Sequence, residues 1–307
     1  MVPSLANAKV TMFERSRELS GRSVRRALTL ALLLCGLGTG RASAHGDLPE
    51  QIAEVTRQIA RRPDDARLYV KRGELHRFHG ERDAALADYD RAARIDPTVA
   101  EVDLGRGKTL LEAGRPAEAG AALERFLERR SDHAEGRLSL ARVLVRLRRP
   151  LEADAEYARA IRLVGQPKPD LYFERATALA SSERVDAAIR VLDEGIERLG
   201  PLAALEDLAV SLERRRGTWD GALARLDRIS TGKTRHESYL ARRGAILAEA
   251  GRPEEARASF VAARESIESL PARLRRTRAI VRLERDVKSS LERLEAKNRK
   301  EQTDAKG

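Results

Sequence analysis

The chain has 307 residues, of which 35% are charged and 4% aromatic, with a formal net charge of +11. Its many Ala, Leu, Arg and Glu suit helices with one buried stripe, and a strand-rich fold would need more Val, Ile, Thr and aromatics. The excess charge sits at the two ends, with seven Lys or Arg against two Glu in residues 1–44 and twelve against six acids in 272–307, so the stretch between them is close to neutral. That distribution suggests a mixed-sign solvated surface along most of the chain.

At the N-terminus, Arg22, Arg25 and Arg26 precede an apolar run from Ala27 to Leu37, followed by Arg41-Ala42-Ser43-Ala44. This three-part pattern reads as a secretory signal peptide over 1–44, cleaved after Ala44 so that His45 becomes the first residue. The run is far shorter than the roughly 20 residues a spanning helix needs, so no transmembrane segment is expected in the mature chain. Arg25-Arg26 raises twin-arginine export, for which Val24 and Thr29 fit poorly, and Leu34 is not the small residue that a lipoprotein signal wants before Cys35. Cys35 is the sole cysteine, so after cleavage no disulfide can form and stability rests on helix packing. The expected location is periplasmic or secreted.

Within residues 45–65, Leu48, Ile52, Val55 and Ile59 fall on one helical face before Arg62-Pro63, predicting a helix that covers the first end of a larger helical body. Beyond it the chain repeats itself. Ala85, Ala119, Ala153, Ala188, Ala222 and Ala256 are separated by 34, 34, 35, 34 and 34 residues. Around that series the segment from Ala66 supplies Tyr69, Arg72, Gly73, His76, Tyr89, Ala92 and Pro97, and the one from Ala100 supplies Gly107, Leu110, Leu123 and Phe126. The segment from Ala134 supplies Leu140, Ala141, Leu144, Tyr157 and Ala160, and the one from Glu237 supplies Leu240, Gly244, Leu247, Phe260 and Ala263. Small residues such as Gly107 and Gly244 let one helix lie against another while large neighbours fill the gaps. Gly80, Gly114 and Gly251 stand where a helix can end in a left-handed residue, and Pro97 stops a helix because it has no amide hydrogen.

These residues at this period resemble the tetratricopeptide-repeat family, with Arg72 and His76 departing from its usual types. The resemblance covers about residues 50–270, as an array over 66–271 with repeats starting near 66, 100, 134, 169, 203 and 237. The fourth and fifth are less regular, and Gly165 to Asp170 reads as a longer turn. It implies an all-α fold, a right-handed superhelical solenoid of antiparallel helix pairs, with 45–65 as an N-terminal half-repeat. Residues 272–307 would form a basic C-terminal capping helix carrying Leu274, Val281, Leu291 and Leu294, and disorder is expected from Lys297 onward. Trp219, at the turn of the fifth repeat, reads as a packing residue.

The chain shows no nucleophile with its base, no paired catalytic carboxylates, no metal-ligand spacing and no phosphate loop, so it reads as a non-enzyme without cofactor or metal. His76 and His79 alone among the histidines share helical neighbour spacing, and His76 holds a packing position. The resemblance implies a groove lined by first helices that binds a protein or peptide. Its positions here are Val70, Glu74, Arg77, Leu104, Lys108, Leu111, Leu138, Arg142, Val145, Phe173 and Thr177. The Lys and Asn clamp by which some relatives hold chaperone C-termini is absent, since Val70, Glu74, Leu104 and Lys108 stand there. Lys108 and Arg142 read as a basic stripe suited to an acidic-hydrophobic peptide, and scarce aromatics together with export argue against nucleic acid. The expected function is an exported scaffold, with envelope complex assembly as one setting. The alternative is contact of the basic tail with anionic lipid or polysaccharide.

Overall fold

The structure, a computed structural model, describes residues 48–230 and 235–304. The signal-peptide reading, with Ala44 and His45, lies outside the described residues. The chain divides into two compact units, Met1–Gln51 and Ile52–Gly307. Of the first unit only the opening turn of one helix is described; the second holds the remaining helices.

Fifteen helices and no strand are found among the described residues. The first, α1 (Leu48–Arg61), is followed by six helix pairs: α2 (Ala66–His79) with α3 (Arg82–Ile95), α4 (Glu101–Glu112) with α5 (Pro116–Arg129), α6 (Ala134–Arg146) with α7 (Pro150–Leu163), α8 (Pro169–Ala180) with α9 (Val185–Leu199), α10 (Ala203–Arg216) with α11 (Trp219–Ser230), and α12 (His236–Glu249) with α13 (Pro253–Ser269). The short α14 (Ala272–Arg275) and the long α15 (Arg278–Asp304) complete the order. Each first helix packs on its own second helix, and each second helix packs on the next first helix, so the pairs stack as an all-α solenoid.

Local chemistry explains the boundaries. Asp65 caps α2 by accepting a hydrogen bond from the Arg67 amide, and Pro116, Pro150, Pro169 and Pro253 open their helices where a missing amide hydrogen costs nothing. Arg115, Arg149 and Arg252 each clasp the glutamate three residues on in the first turn of a second helix, with both guanidinium and carboxylate forks engaged. Gly80, Gly114 and Gly251 leave their first helices at φ of +87°, +73° and +72°. In the third and fourth pairs Arg148 and Glu183 adopt the same left-handed conformation at φ of 60° and 63° without the freedom of glycine, so these two turns carry backbone strain.

The core runs along the stack as buried clusters. Tyr89 is fully buried between α2 and α4 because both present glycine to its ring: a Cβ at Gly73 would lie 2.7 Å from it, and one at Gly105 would lie 2.5 Å away. Gly107 likewise makes room for Leu123, Gly136 for Phe126, Gly195 for Tyr172 and Gly244 for Phe260. Val55 and Ile59 of α1 join the Tyr69 and Tyr89 cluster and cover the first end, while Val287 and Leu291 of α15 join Phe260, Ala256 and Leu247 and cover the last. Trp219 packs half-buried against that last cluster.

Two differences from the sequence reading have simple causes. Instead of the disorder expected from Lys297, α15 continues to Asp304, since Glu, Lys, Arg and Gln favour helix and neither Gly nor Pro interrupts them. Arg72 and His76, which depart from the family's types, are answered locally: Arg72 makes a two-pronged bond to Asp88 at 2.7 and 2.8 Å, and His76 Nδ1 lies 2.5 Å from Glu81.

Candidate functional site

First helices of neighbouring pairs touch one another, α2 with α4, α4 with α6 and α8 with α10, whereas among the described residues no such packing joins consecutive second helices. The first helices therefore line the narrower, inner side of the stack. On it, Val70, Leu104, Leu111, Leu138 and Val145 are half-buried, so each offers part of an apolar side chain while the rest packs inward. Phe173 is 40% exposed, and Thr177 is exposed with its hydroxyl donating to the Phe173 carbonyl.

The charges on this side hold the repeats to one another. Arg77, buried, places Nη1 2.6 Å from Glu112 of the next pair and Nη2 2.7 Å from Glu74 of its own. Lys108 Nζ lies 2.7 Å from Glu135 and 4.0 Å from Glu74, and Arg142 makes a two-pronged bond to Glu174 with both contacts at 2.8 Å. The pattern recurs further along, where Arg214 clasps Glu249 from the position equivalent to Arg77, and Arg242 reaches Asp207 at 2.6 Å. Buried phenols complete the ladder: the Tyr89 hydroxyl donates to Glu74 at 3.2 Å and the Tyr157 hydroxyl to Glu174 at 3.0 Å.

Electrostatics follows from these contacts. The Lys108 ammonium holds the Glu135 carboxyl below the ordinary glutamate value. Burial alone would raise Glu174, but hydrogen bonds from Arg142 and Tyr157 outweigh it and leave that carboxyl depressed. Burial, with Glu74 and Glu174 beside them, pushes the Tyr89 and Tyr157 phenols well above their usual value, so both remain neutral donors. The stripe of Lys108 and Arg142, read from sequence as open positive charge, is thus neutralised by acids of the following pair. The inner side presents apolar surface between satisfied ion pairs.

No group of three or more His, Cys, Asp or Glu among the described residues is placed to hold a metal. Nor is any helix of the described residues long and apolar enough to cross a membrane.

Models of the tetratricopeptide repeat match residues 66–99 and 104–170. The chain is a tetratricopeptide-repeat protein. A tetratricopeptide-repeat protein of Parabacteroides merdae superposes with a TM-score of 0.50 at 16% identity, covering 87% of this chain and 99% of that one. The C-terminal part of a repeat-containing protein of Cytophaga hutchinsonii gives a TM-score of 0.61 at 12% identity over 77% and 94%. Identities this low show the fold alone. No protein of curated function matches the chain in sequence.

Tetratricopeptide repeats bind proteins or peptides, and in this member the inner side holds a residue that the sequence reading passed over. Phe78, at the end of α2, is 64% exposed with the Arg77 guanidinium stacked 4.3 Å from its ring centre. It lies one residue beyond Arg77, the last groove position that the family motif places on α2, and an aromatic between two histidines in a polar run was its only signal. Phe78 and Phe173 are the most exposed aromatic rings on the first helices among the described residues.

Proposed function

We propose that this tetratricopeptide-repeat protein is a non-catalytic scaffold that holds an apolar or amphipathic segment of a partner protein against the inner side of its array. The observation that carries this reading is the pairing of the inner charges across repeats, which leaves Phe78, Phe173 and the half-buried Leu104, Leu138 and Val145 as the surface still open to a ligand. Exposed aromatic anchors beside neutralised charge favour burial of apolar side chains over capture of a free carboxylate. A photo-crosslinking residue placed at 78 or 173 should yield adducts of defined mass in cells, and one at the exposed Leu151 or Leu163 of α7 should yield none. Adducts from the α7 positions alone would overturn the reading.

Export belongs to the same proposal and rests on the pattern from Arg22 to Ala44. N-terminal sequencing of the mature protein should begin at His45. A chain beginning at Met1, or at a lipid-bearing Cys35, would contradict it.

A further inference from the structure

Most arginines of the array answer a carboxylate, as Arg72, Arg77, Arg125, Arg137 and Arg142 do. The C-terminal end breaks that rule. Arg273, Arg275, Arg276, Arg278, Arg282 and Arg285 lie close together in sequence, Glu284 is the only acid from 272 to 285, and none of the six forms an ion pair among the described residues.

Their direction is fixed by packing. Ile280, Val287 and Leu291 are buried, and the latter two join the cluster that closes α12 and α13. At 100° per residue, Arg278, Arg282 and Arg285 fall within about 60° of one another on the opposite side of α15, and all three are exposed. Val281, 43% exposed, flanks them. The apolar stripe of α15 is committed to the array, so the first two turns of this helix present a row of guanidinium groups on their outer side, ahead of the exposed Glu292 farther along the same side.

We propose that this end of the protein docks on an anionic lipid surface through that arginine face. Guanidinium groups meet phosphate oxygens with two parallel hydrogen bonds, and a row on one convex helix side suits a plane of headgroups better than a chain that must be threaded or gripped. Residues 261–307 contain no Phe, Tyr or Trp, so no ring is present there on which a nucleic-acid base could stack. Because the buried stripe stays sealed, attachment is driven by charge and reversed by salt.

The test uses the full chain sedimented with vesicles of phosphatidylglycerol mixed with phosphatidylcholine, and with phosphatidylcholine alone. Binding is expected only to the mixed vesicles and should fade as salt rises. R278E/R282E/R285E should lower the partition constant by about a hundredfold or more. The charge-matched R94E/R162E/R190E, exposed on α3, α7 and α9, should leave it unchanged. If the reversed variant fails to fold, replacing the same three arginines by Gln decides the question. Equal binding to both vesicle types, or undiminished binding by the Gln variant, would overturn the proposal. Duplex DNA binding more tightly than the mixed vesicles at the same salt would assign the face to nucleic acid instead.

Discussion

Tyr89→Ala should be among the most damaging single changes in the array, costing about 3–5 kcal/mol, the usual range for deleting a buried aromatic ring. The ring is fully buried and fills the space that Gly73 and Gly105 leave open on two successive repeats, so its loss opens a cavity at the joint between them. Neither glycine can grow to close that gap, and Glu74 loses the phenol that donates to it. For a unit of this size the melting temperature should fall by about 6–20 °C. Tyr89→Phe keeps the ring and loses only the hydroxyl, so it should cost about 1 kcal/mol. Thermal denaturation of both variants checks this, and a Tyr89→Ala loss under about 1 kcal/mol would mean that the two glycines do not face the ring.

Arg225→Met should cost about as much for a different reason. Arg225 is buried on α11 between Glu213 at 3.3 Å, Glu206 at 3.5 Å and Asp193 at 2.8 Å, the last an ion pair off the hydrogen-bonding direction. Glu206 is 1% exposed and Glu213 7% exposed, so removing the shared cation strands carboxylates that water cannot reach, although Arg228 still holds Glu206 at 2.8 Å. Breaking such a buried pair from one side typically costs about 3–5 kcal/mol, whereas replacing both partners by apolar groups is often neutral. Arg225→Met with Glu213→Leu should therefore recover at least half of the loss. Denaturant unfolding of the single and double variants decides the matter, and a double variant less stable than Arg225→Met alone would contradict it.

The repeat itself was legible because the physics that sets it is local and periodic: a small residue at each helix contact, a glycine or proline at many of the stops, and a spacing that returns about every 34 residues. Charges at the joints were not legible. In the second, third and fifth pairs Asp103, Arg137 and Glu206 occupy the place held elsewhere by Tyr69, Tyr172 and Leu240, and each finds its counter-charge on the following helix in Arg125, Glu156 and Arg228. These partners stand 19 or 22 residues on, an offset that means nothing until the helix pair has closed. The bridges of the inner side span still longer offsets, from Lys108 to Glu135 and from Arg77 to Glu112, and depend on how one repeat rests on the next. Hence Lys108 and Arg142 looked free in sequence. Gly105 gave no signal because the ring it admits, Tyr89, belongs to the preceding repeat.

If the inner side of the array holds the partner, the affinity for a ligand must depend on the side chains exposed there. A peptide selected from a random library displayed on phage would be titrated against the parent protein, Phe78→Glu/Phe173→Glu, and Leu151→Glu/Leu163→Glu. All four side chains are exposed, so both double variants should melt with the parent. Loss of two aromatic anchors should weaken binding by at least about tenfold, and the α7 pair should leave it unchanged. Undiminished affinity in Phe78→Glu/Phe173→Glu, or a loss confined to Leu151→Glu/Leu163→Glu, would contradict the claim.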